Sequence, residues 1–323
     1  MTTPKASIII PHLNGKHHLD DCLQSLCGQS YTNFEVILVD NGSTDGSQEY
    51  VRRHFPEVRL LELGHNFGFT GACNAGWQAA KGDIIILLNN DTEAHPDWLA
   101  NVVNAFARHP KAGIVASKML LFDRRDHLHT AGDYVRIDGI PGNRGVWQRD
   151  EGQYDREELV FSACGGSAAY RRTLLDEIGF LDDDFFFSCE DVDMGWRANL
   201  AGWDVVYVPT AVIYHKLKAT GGDVTGSYYD GRNFLYLLWK NYPGSLFRRH
   251  WRQIIGAQIT ITKQALKHWR GQAARARLRG QLAGLFGIFK MWPKRRQIQA
   301  TRRLDDETLT QRLTPVDDPP GDG

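Results

Sequence analysis

Two groups of carboxylates in this 323-residue chain stand where chemistry can be done. Leu87-Leu88-Asn89-Asn90-Asp91-Thr92-Glu93 follows Ile84-Ile85-Ile86, so an apolar run suited to a buried strand of a parallel sheet ends abruptly in polar groups. Ligands of open α/β sheets sit just beyond such strand ends. Asp91 offers a hard oxygen ligand there for Mg²⁺ or Mn²⁺, an ion that in turn clamps a diphosphate. The plainer alternative is that Asp91 caps a helix beginning near Pro96. The second group, Ser188-Cys189-Glu190-Asp191-Val192-Asp193, reads as a helix start with acids filling its first turn. The helix dipole accounts for Glu190 or Asp193 alone. It does not account for the apolar run Phe185-Phe186-Phe187 that delivers the turn.

The elements that must position these groups alternate. Ser7–Ile10 reads as a buried strand closed by Pro11, His17–Cys27 as a helix, Phe34–Val39 as a second strand, and Val58–Leu63 as a third after another helix. Such alternation predicts a mainly parallel, doubly wound sheet. Three strand ends carry polar residues, Asn14, Asp40 and Asp91, as a nucleotide cleft at a sheet edge requires. Between the third and fourth strands, Gly64–Gly76 is rich in small residues that let backbone approach a ligand, and a helix expected from near Thr70 offers free N–H groups to an anion. No Gly-x-Gly-x-x-Gly follows the first strand and no P-loop is present, which sets aside dehydrogenase and P-loop NTPase readings. Leu120–Tyr154 is irregular, with Tyr134–Ile137 and Gly145–Trp147 expected as a hairpin. Lys216–Ser227 reads as a mobile lid or acceptor loop. His12, His17 and His18 show no partner pattern and are expected at the surface, while Arg232 is placed to reach a diphosphate or to lie on a helix surface.

The series Ser7-Ile8-Ile9-Ile10-Pro11…Asn14, Val39–Gly46, Asn66-Phe67-Gly68-Phe69…Asn74…Gly76, Leu87–Glu93 and Glu190-Asp191-Val192-Asp193…Arg197 resembles the family-two inverting glycosyltransferases of the GT-A fold, and within them a rhamnosyltransferase-like branch. The resemblance spans roughly residues 5–240. It implies that Asp40 contacts a nucleotide base with Pro11 and Asn14 beside it, that Asn66 and Asn74 line ribose and diphosphate, and that Asn90 belongs to the same donor site. Asp91 falls on the last Asp of the family's Asp-x-Asp metal motif, whose first Asp is replaced by Asn89. His215 is implied as the partner that helps Asp91 hold a Mg or Mn divalent cation. Asp191 is implied as the general base, with Gly165, Gly166, Glu190 and Arg232 on the acceptor side. The implied activity is inverting transfer of a sugar from a nucleoside-diphosphate sugar, dTDP-rhamnose by this resemblance, to a glycan or polyprenyl-linked acceptor in cell-surface polysaccharide synthesis. The alternative is a non-catalytic scaffold of the same fold that binds nucleotide or glycan, which has no need of a base.

Zero net charge hides an asymmetry. Residues 1–244 carry 22 Lys/Arg against 32 Asp/Glu, whereas 245–303 carry 15 basic residues and no acid. Apolar residues recur there at helical spacing, so residues 243–303 are expected as basic amphipathic helices appended to a catalytic domain of residues 1–242, with 304–323 a disordered acidic tail. An anionic membrane surface is the expected partner of 245–303. Packing on the acidic catalytic domain is the alternative, and nucleic acid is set aside for want of a recognition motif. Five cysteines without zinc spacing, no visible signal peptide and no run of ~20 apolar residues fit a cytoplasmic protein held peripherally at the inner face of the cell membrane.

Overall fold

The computed structural model describes residues 5–217 and 223–317. Strands β1 (Ala6–His12), β2 (Phe34–Asp40), β3 (Arg59–Glu62) and β4 (Ile84–Leu88) are mutually parallel, joined by helices α1 (Leu19–Cys27), α2 (Ser47–His54) and α3 (Gly68–Ala79). Short β5 (Thr92–Ala94) and helix α4 (Trp98–Arg108) lead into β6 (Ala112–Leu121). Then come β7 (Leu128–Thr130), β8 (Asp133–Val135), β9 (Pro141–Asn143), β10 (Glu158–Leu159), β11 (Ser167–Arg171), helices α5 (Arg172–Ile178) and α6 (Glu190–Leu200), and long β12 (Asp204–His215). The main sheet runs β10-β12-β6-β11-β4-β1-β2-β3. β11 is antiparallel to both its neighbours, and β12 returns parallel to β6, so the sheet is mixed but mainly parallel, as the alternating pattern implies.

Burial on both faces explains the continuous apolar runs. Ile8, Ile10, Leu38, Ile86 and Leu88 turn to one side, where they pack with Leu23 of α1 and Trp98 and Val102 of α4. Ile9, Ile37, Val39, Ile85 and Leu87 turn to the other, against Ala72 and Cys73 of α3 and Met194 and Ala198 of α6. The two-residue period of a strand thus fills two cores from one sequence. All five cysteines are unpaired.

The hairpin expected around residue 140 forms, with its second arm shifted. β8 pairs with Pro141–Asn143, because Gly139 takes φ 82° in the turn, while Gly145 (φ 70°) and the exposed Trp147 (φ 65°) lie in the following turn. The expected lid over Lys216–Ser227 lies in part outside the described residues, and its last part opens helix α7 (Asp223–Lys240).

Helices α8 (Gly244–Lys267), α9 (Gln272–Phe286), α10 (Ile288–Ala300) and α11 (Asp306–Arg312) complete the chain. α9 lies tightly along α7 through a ladder of small residues: Ala276, Gly280 and Gly284 are all buried. A Cβ on Gly280 would stand 2.0 Å from the Tyr228 carbonyl oxygen, and one on Gly231 of α7 would stand 2.4 Å from that of Arg277. α7, α8, α10 and α11 share a third core with Phe185 and Trp196 of the sheet domain.

The disordered tail expected over 304–323 needs correction up to residue 317, and 318–323 lie outside the described residues. Asp305 caps α11 by accepting from the Thr308 N–H at 2.7 Å, and Asp306 and Glu307 are the acids of its first turn. Leu309 and Leu313 are buried, Arg312 pairs with Asp204, and the Thr314 N–H donates to the Val135 carbonyl. The acids that read as a solvated run are a helix start, and two leucines four residues apart anchor it.

Candidate active site

A cavity of about 760 Å³ opens at the carboxyl ends of β1 and β4. Pro11, His12, Asn66, Asn89 and Asn90 line one side of it, and Gly165, Gly166, Glu190 and Asp191 the other. The chain between residues 182 and 189 forms the bridge between them. Phe186, Ser188 and Cys189 all adopt left-handed φ of 62–68°, a conformation that costs a non-glycine residue roughly 1 kcal/mol or more. Surrounding donors hold it there. Asn233 Nδ2 donates to the carbonyls of Phe187 (2.9 Å) and Ser188 (2.7 Å), Arg232 donates to those of Asp184 (2.8 Å) and Phe185 (2.7 Å), and Ser188 Oγ donates to Asp230. Lys240, Lys290 and Lys294 add ion pairs to Asp182 and Asp184. The strained segment sets the direction in which α6 begins, and so where Glu190 and Asp191 point.

Asp191 is half-buried. Its Oδ2 accepts from the Gly165 N–H at 2.8 Å and its Oδ1 from the Val192 N–H at 2.7 Å. Burial raises its pKa above the ordinary carboxylate value, against the opposing pull of those N–H groups. Glu190 is buried with no partner for Oε2, and burial together with the Asp191 charge pushes its pKa up to about 8. Asp193 is different: Arg197, Lys240 and Asn241 all bond it at 2.8 Å in a fully buried cluster that fixes α6 to α7.

On the donor side, Asp40 Oδ2 accepts from Gln48 Nε2 at 2.9 Å and the Ser43 N–H at 3.2 Å, while Oδ1 is buried and unpartnered. Asn14, with φ 55°, accepts from the Thr44 N–H and so braces the loop behind Asp40. Asn66 Oδ1 accepts from Asn41 Nδ2 (3.0 Å) and the Gly68 N–H (2.8 Å). Asn74 turns away from the cavity, donating to Asp183 at 2.7 Å and to the Leu181 carbonyl at 2.9 Å. Arg232 is likewise committed to the 184–185 carbonyls and the rings of Tyr229 and Tyr236. Asn14, Asp40, Asn74, Asp91, His215 and Arg232 therefore stand behind or beside the cavity wall, whereas Pro11, Asn66, Asn90, Gly165, Gly166, Glu190 and Asp191 line it.

β5 lies antiparallel to β12 with Thr92 opposite His215, and this brings Asp91 and His215 together. His215 Nε2 is 3.1 Å from Asp91 Oδ1. Burial would raise the Asp91 pKa, but the hydrogen bond and charge of His215 outweigh it and hold the carboxyl below its ordinary value. Asp91 caps no helix. A carboxylate oxygen beside an imidazole nitrogen suits Mn²⁺ or Mg²⁺, with the remaining positions open to diphosphate oxygens and water. Among the described residues no group of three or more His, Cys, Asp or Glu converges on one point, so such a site would be completed by substrate. Gly166 touches both halves of the cavity: a Cβ there would stand 3.4 Å from Asn89 and 3.5 Å from His215.

Four residues of the site escaped the sequence reading. His12, expected at the surface, is buried in the cavity wall with Nδ1 2.7 Å from Asn90 Nδ2, because the last residue of a central strand is still under the helices. Asn41 ties the 66–68 turn to the end of β2. His129 Nδ1 lies 3.1 Å from His215 Nδ1, and burial lowers its pKa to about 3. Asp133, buried at the start of β8, accepts from Thr130 Oγ1 (3.0 Å) and Asn143 Nδ2 (2.8 Å), and burial and the Asp191 charge push its pKa well up. A lone acid between Gly132 and an apolar strand was its only signal.

This fold is that of the GT-A glycosyltransferases. The structure resembles a Pyrobaculum calidifontis mannosyltransferase in complex with GDP-Man and Mn²⁺ (TM-score 0.58, 19% identity, covering 93% of this chain and 85% of that one) and GalNAc-T7 with UDP, GalNAc and Mn²⁺ (TM-score 0.60, 15% identity, covering 76% and 50%). Residues 7–179 match glycosyl transferase family 2, and the chain belongs to that family. It is 31% identical over 230 residues to the N-acetylglucosaminyl-diphospho-decaprenol L-rhamnosyltransferase of Mycobacterium tuberculosis, covering 64% of this chain and 74% of that enzyme. It is 33% identical over 236 residues to the O-antigen biosynthesis protein RfbC of Myxococcus xanthus, covering 68% of this chain and 18% of that protein. The chain spans only 25% of a further relative, protein y4gI of Sinorhizobium fredii, at 30% identity over 232 residues.

Proposed function

We propose that this glycosyltransferase moves a sugar, with inversion, from a nucleoside diphosphate to a lipid-linked saccharide during cell-surface polysaccharide synthesis, and that the donor is dTDP-rhamnose. The observation that carries the reaction type is the carboxylate pair Glu190 and Asp191 facing the asparagines at the end of β4 across one cavity. The relatives named above support the sugar and the acceptor class. Asp191 accepts the proton of the acceptor hydroxyl as that oxygen bonds the anomeric carbon from the face opposite the leaving group. The bond from that carbon to the diphosphate oxygen breaks in the same displacement, and nucleoside diphosphate departs. No glycosyl-enzyme forms, so no second nucleophile is needed. Burial raises the basicity of Asp191 toward the task, and positioned proton transfer contributes roughly 10²–10⁴-fold.

Asp91 and His215 are assigned to a Mg²⁺ or Mn²⁺ ion that would offset diphosphate charge. Asp40 and the segment around Asn41 and Asn66 are assigned to the nucleoside. Residues 1–242 are taken as the catalytic unit and 243–303 as an accessory unit that holds it at the inner face of the cell membrane. A binding scaffold would have no use for a buried Glu190 whose Oε2 lacks a partner and whose desolvation destabilises the fold. The test is a donor screen with purified protein and Mn²⁺ or Mg²⁺ across UDP-, dTDP- and GDP-sugars, followed by transfer to a polyprenyl-diphospho-sugar with the product's anomeric configuration read by NMR. Transfer from dTDP-rhamnose with inversion is expected. Retention of configuration sinks the mechanism, and preference for another donor sinks the sugar assignment.

A further inference from the structure

Helices α8, α9 and α10 carry an apolar face that nothing in the described chain covers. Along α8, Trp251, Ile255, Ile259 and Leu266 follow the spacing of one helical stripe, continued by Trp269 in the turn beyond it, and all are exposed, while Leu246, Ile254 and Ala265 are buried. A second ridge crosses the α9–α10 junction: Leu282, Leu285, Phe286, Phe289 and Trp292, with Phe286 at 74% and Phe289 at 80% exposure. Thr262 Oγ1 donates to Gln281 Oε1 at 3.2 Å, which holds the two helices side by side. Soluble monomers rarely leave so much aromatic and leucine surface in water.

Charge identifies the occupant. Arg252, Lys263 and Lys267 on α8, Arg270 in the turn after it, and Arg275 and Arg279 on α9 are exposed among these stripes, with no acid anywhere between residues 245 and 303. Two copies of this face would set positive charge against positive charge. A surface of anionic lipid headgroups over an acyl layer complements both properties at once, because aromatic rings and leucines settle at that boundary while Lys and Arg reach the phosphates. No described helix is long and apolar enough to cross a membrane.

We propose that the α8 stripe and the α9–α10 ridge together form an interfacial docking face for an anionic bilayer. Lys290 and Lys294 of α10 pair with Asp182 and Asp184 of the segment that presents Glu190 and Asp191. Docking therefore fixes the height and tilt of the acceptor side of the cavity above the membrane. The purpose of such docking rests on the proposed lipid-linked acceptor, but the docking itself does not, so the two are measured apart.

The test uses the full chain in flotation with vesicles of phosphatidylcholine alone and with about one-third phosphatidylglycerol, and no sugar present. Transfer is assayed separately on a water-soluble acceptor without a polyprenyl chain. Wild type is expected to float with the anionic vesicles at least tenfold more than with neutral ones. F286S/F289S, both surface changes, should lower that partition at least fivefold with thermal unfolding and soluble-acceptor transfer unchanged; Trp269→Ser in the turn just beyond α8 should lower it less. No flotation of wild type on anionic vesicles overturns the proposal, as does flotation indifferent to all three substitutions. A dimer in light scattering that F286S/F289S converts to monomer, without vesicle binding, assigns the ridge to a second copy instead. Vesicle binding with no transfer to any acceptor leaves the docking face standing and removes the proposed reaction.

Discussion

The Gly165 N–H donates to Asp191 Oδ2 at 2.8 Å, joining the backbone that precedes β11 to the carboxylate at the head of α6. Asparagine can present its carbonyl oxygen to that same N–H while its amide then faces the Val192 N–H, so Asp191→Asn keeps the shape and removes the proton acceptor together with one hydrogen bond. Donor affinity by calorimetry is expected within about twofold of wild type, with kcat lower by roughly 10²–10⁴. Turnover within tenfold of wild type takes Asp191 out of the role.

Glu190 ionises near pH 8 while its neighbour is already charged. Its folded pKa lies above the ordinary value, so the protonated form is the stabilised one. Stability from this group is complete below about pH 4.5 and is lost as pH rises through about 8. Glu190→Gln holds the neutral state at every pH. The variant is expected to lose less stability than wild type between pH 6 and pH 9 and to leave the acid limb of the rate profile, governed by Asp191, in place. Parallel melting curves of the two proteins across that range contradict the assignment.

With Asn89 in place of an acid, Asp91 and His215 alone are expected to give a weak, exchangeable cation site. Donor binding is expected to fall by about tenfold or more on chelation with EDTA, and Asp91→Ala is expected to reproduce that loss whether or not Mn²⁺ is added. Each tenfold corresponds to about 1.4 kcal/mol. Equal nucleotide binding with and without EDTA is the outcome that disposes of the site.

Asp133 stands on the hairpin side of the cavity within the field of Asp191. Asp133→Asn keeps the bond to Thr130 and takes away a neighbouring acid. Burial and the Asp191 charge keep Asp133 protonated while Asp191 ionises, so the acid limb of kcat/KM is expected to stay in place and the acceptor KM to rise with donor affinity unaltered. An acceptor KM equal to that of wild type reduces Asp133 to a support for the hairpin.

At the α7–α9 crossing, Gly280→Ala puts a methyl group where only hydrogen fits, against the Tyr228 carbonyl. The backbones must separate, at a cost of about 1–3 kcal/mol typical of overpacking. Gly256 on α8, with open space around its Cα, is the control: Gly256→Ala should be neutral or slightly stabilising in denaturant unfolding.

Much of the frame was legible because it repeats a simple rule. Ile8-Ile9-Ile10 and Ile84-Ile85-Ile86 could only be strands buried on both faces, and polar residues at their ends located the cleft. Asp91 was found that way, whereas Asp191 was singled out by the acids filling the first turn of a helix. What escaped is what depends on distant backbone. Asn74 looked like a ligand contact but braces residues 181–183, 107 positions on, and Arg232 holds carbonyls rather than facing the cavity. His129 and Asp133 come from an irregular stretch whose placement is fixed by pairing with β6 and by the turn at Gly139, neither visible as periodicity. Asp305–Glu307 read as tail because two leucines are too few to announce a helix.

The small-residue ladder between α7 and α9 bears on how this enzyme can be handled. A chain cut after Tyr242 would keep the whole nucleotide cleft yet strip the cover from Tyr228, Gly231, Leu235 and Tyr236, and with it the lysines of α10 that steady Asp182 and Asp184. Such a fragment would expose a sticky groove on the helix whose Asn233 keeps three left-handed residues in place. The C-terminal helices are thus a keystone of the catalytic centre rather than a detachable handle, and attempts to solubilise the protein belong in single surface substitutions along the α9–α10 ridge, not in truncation.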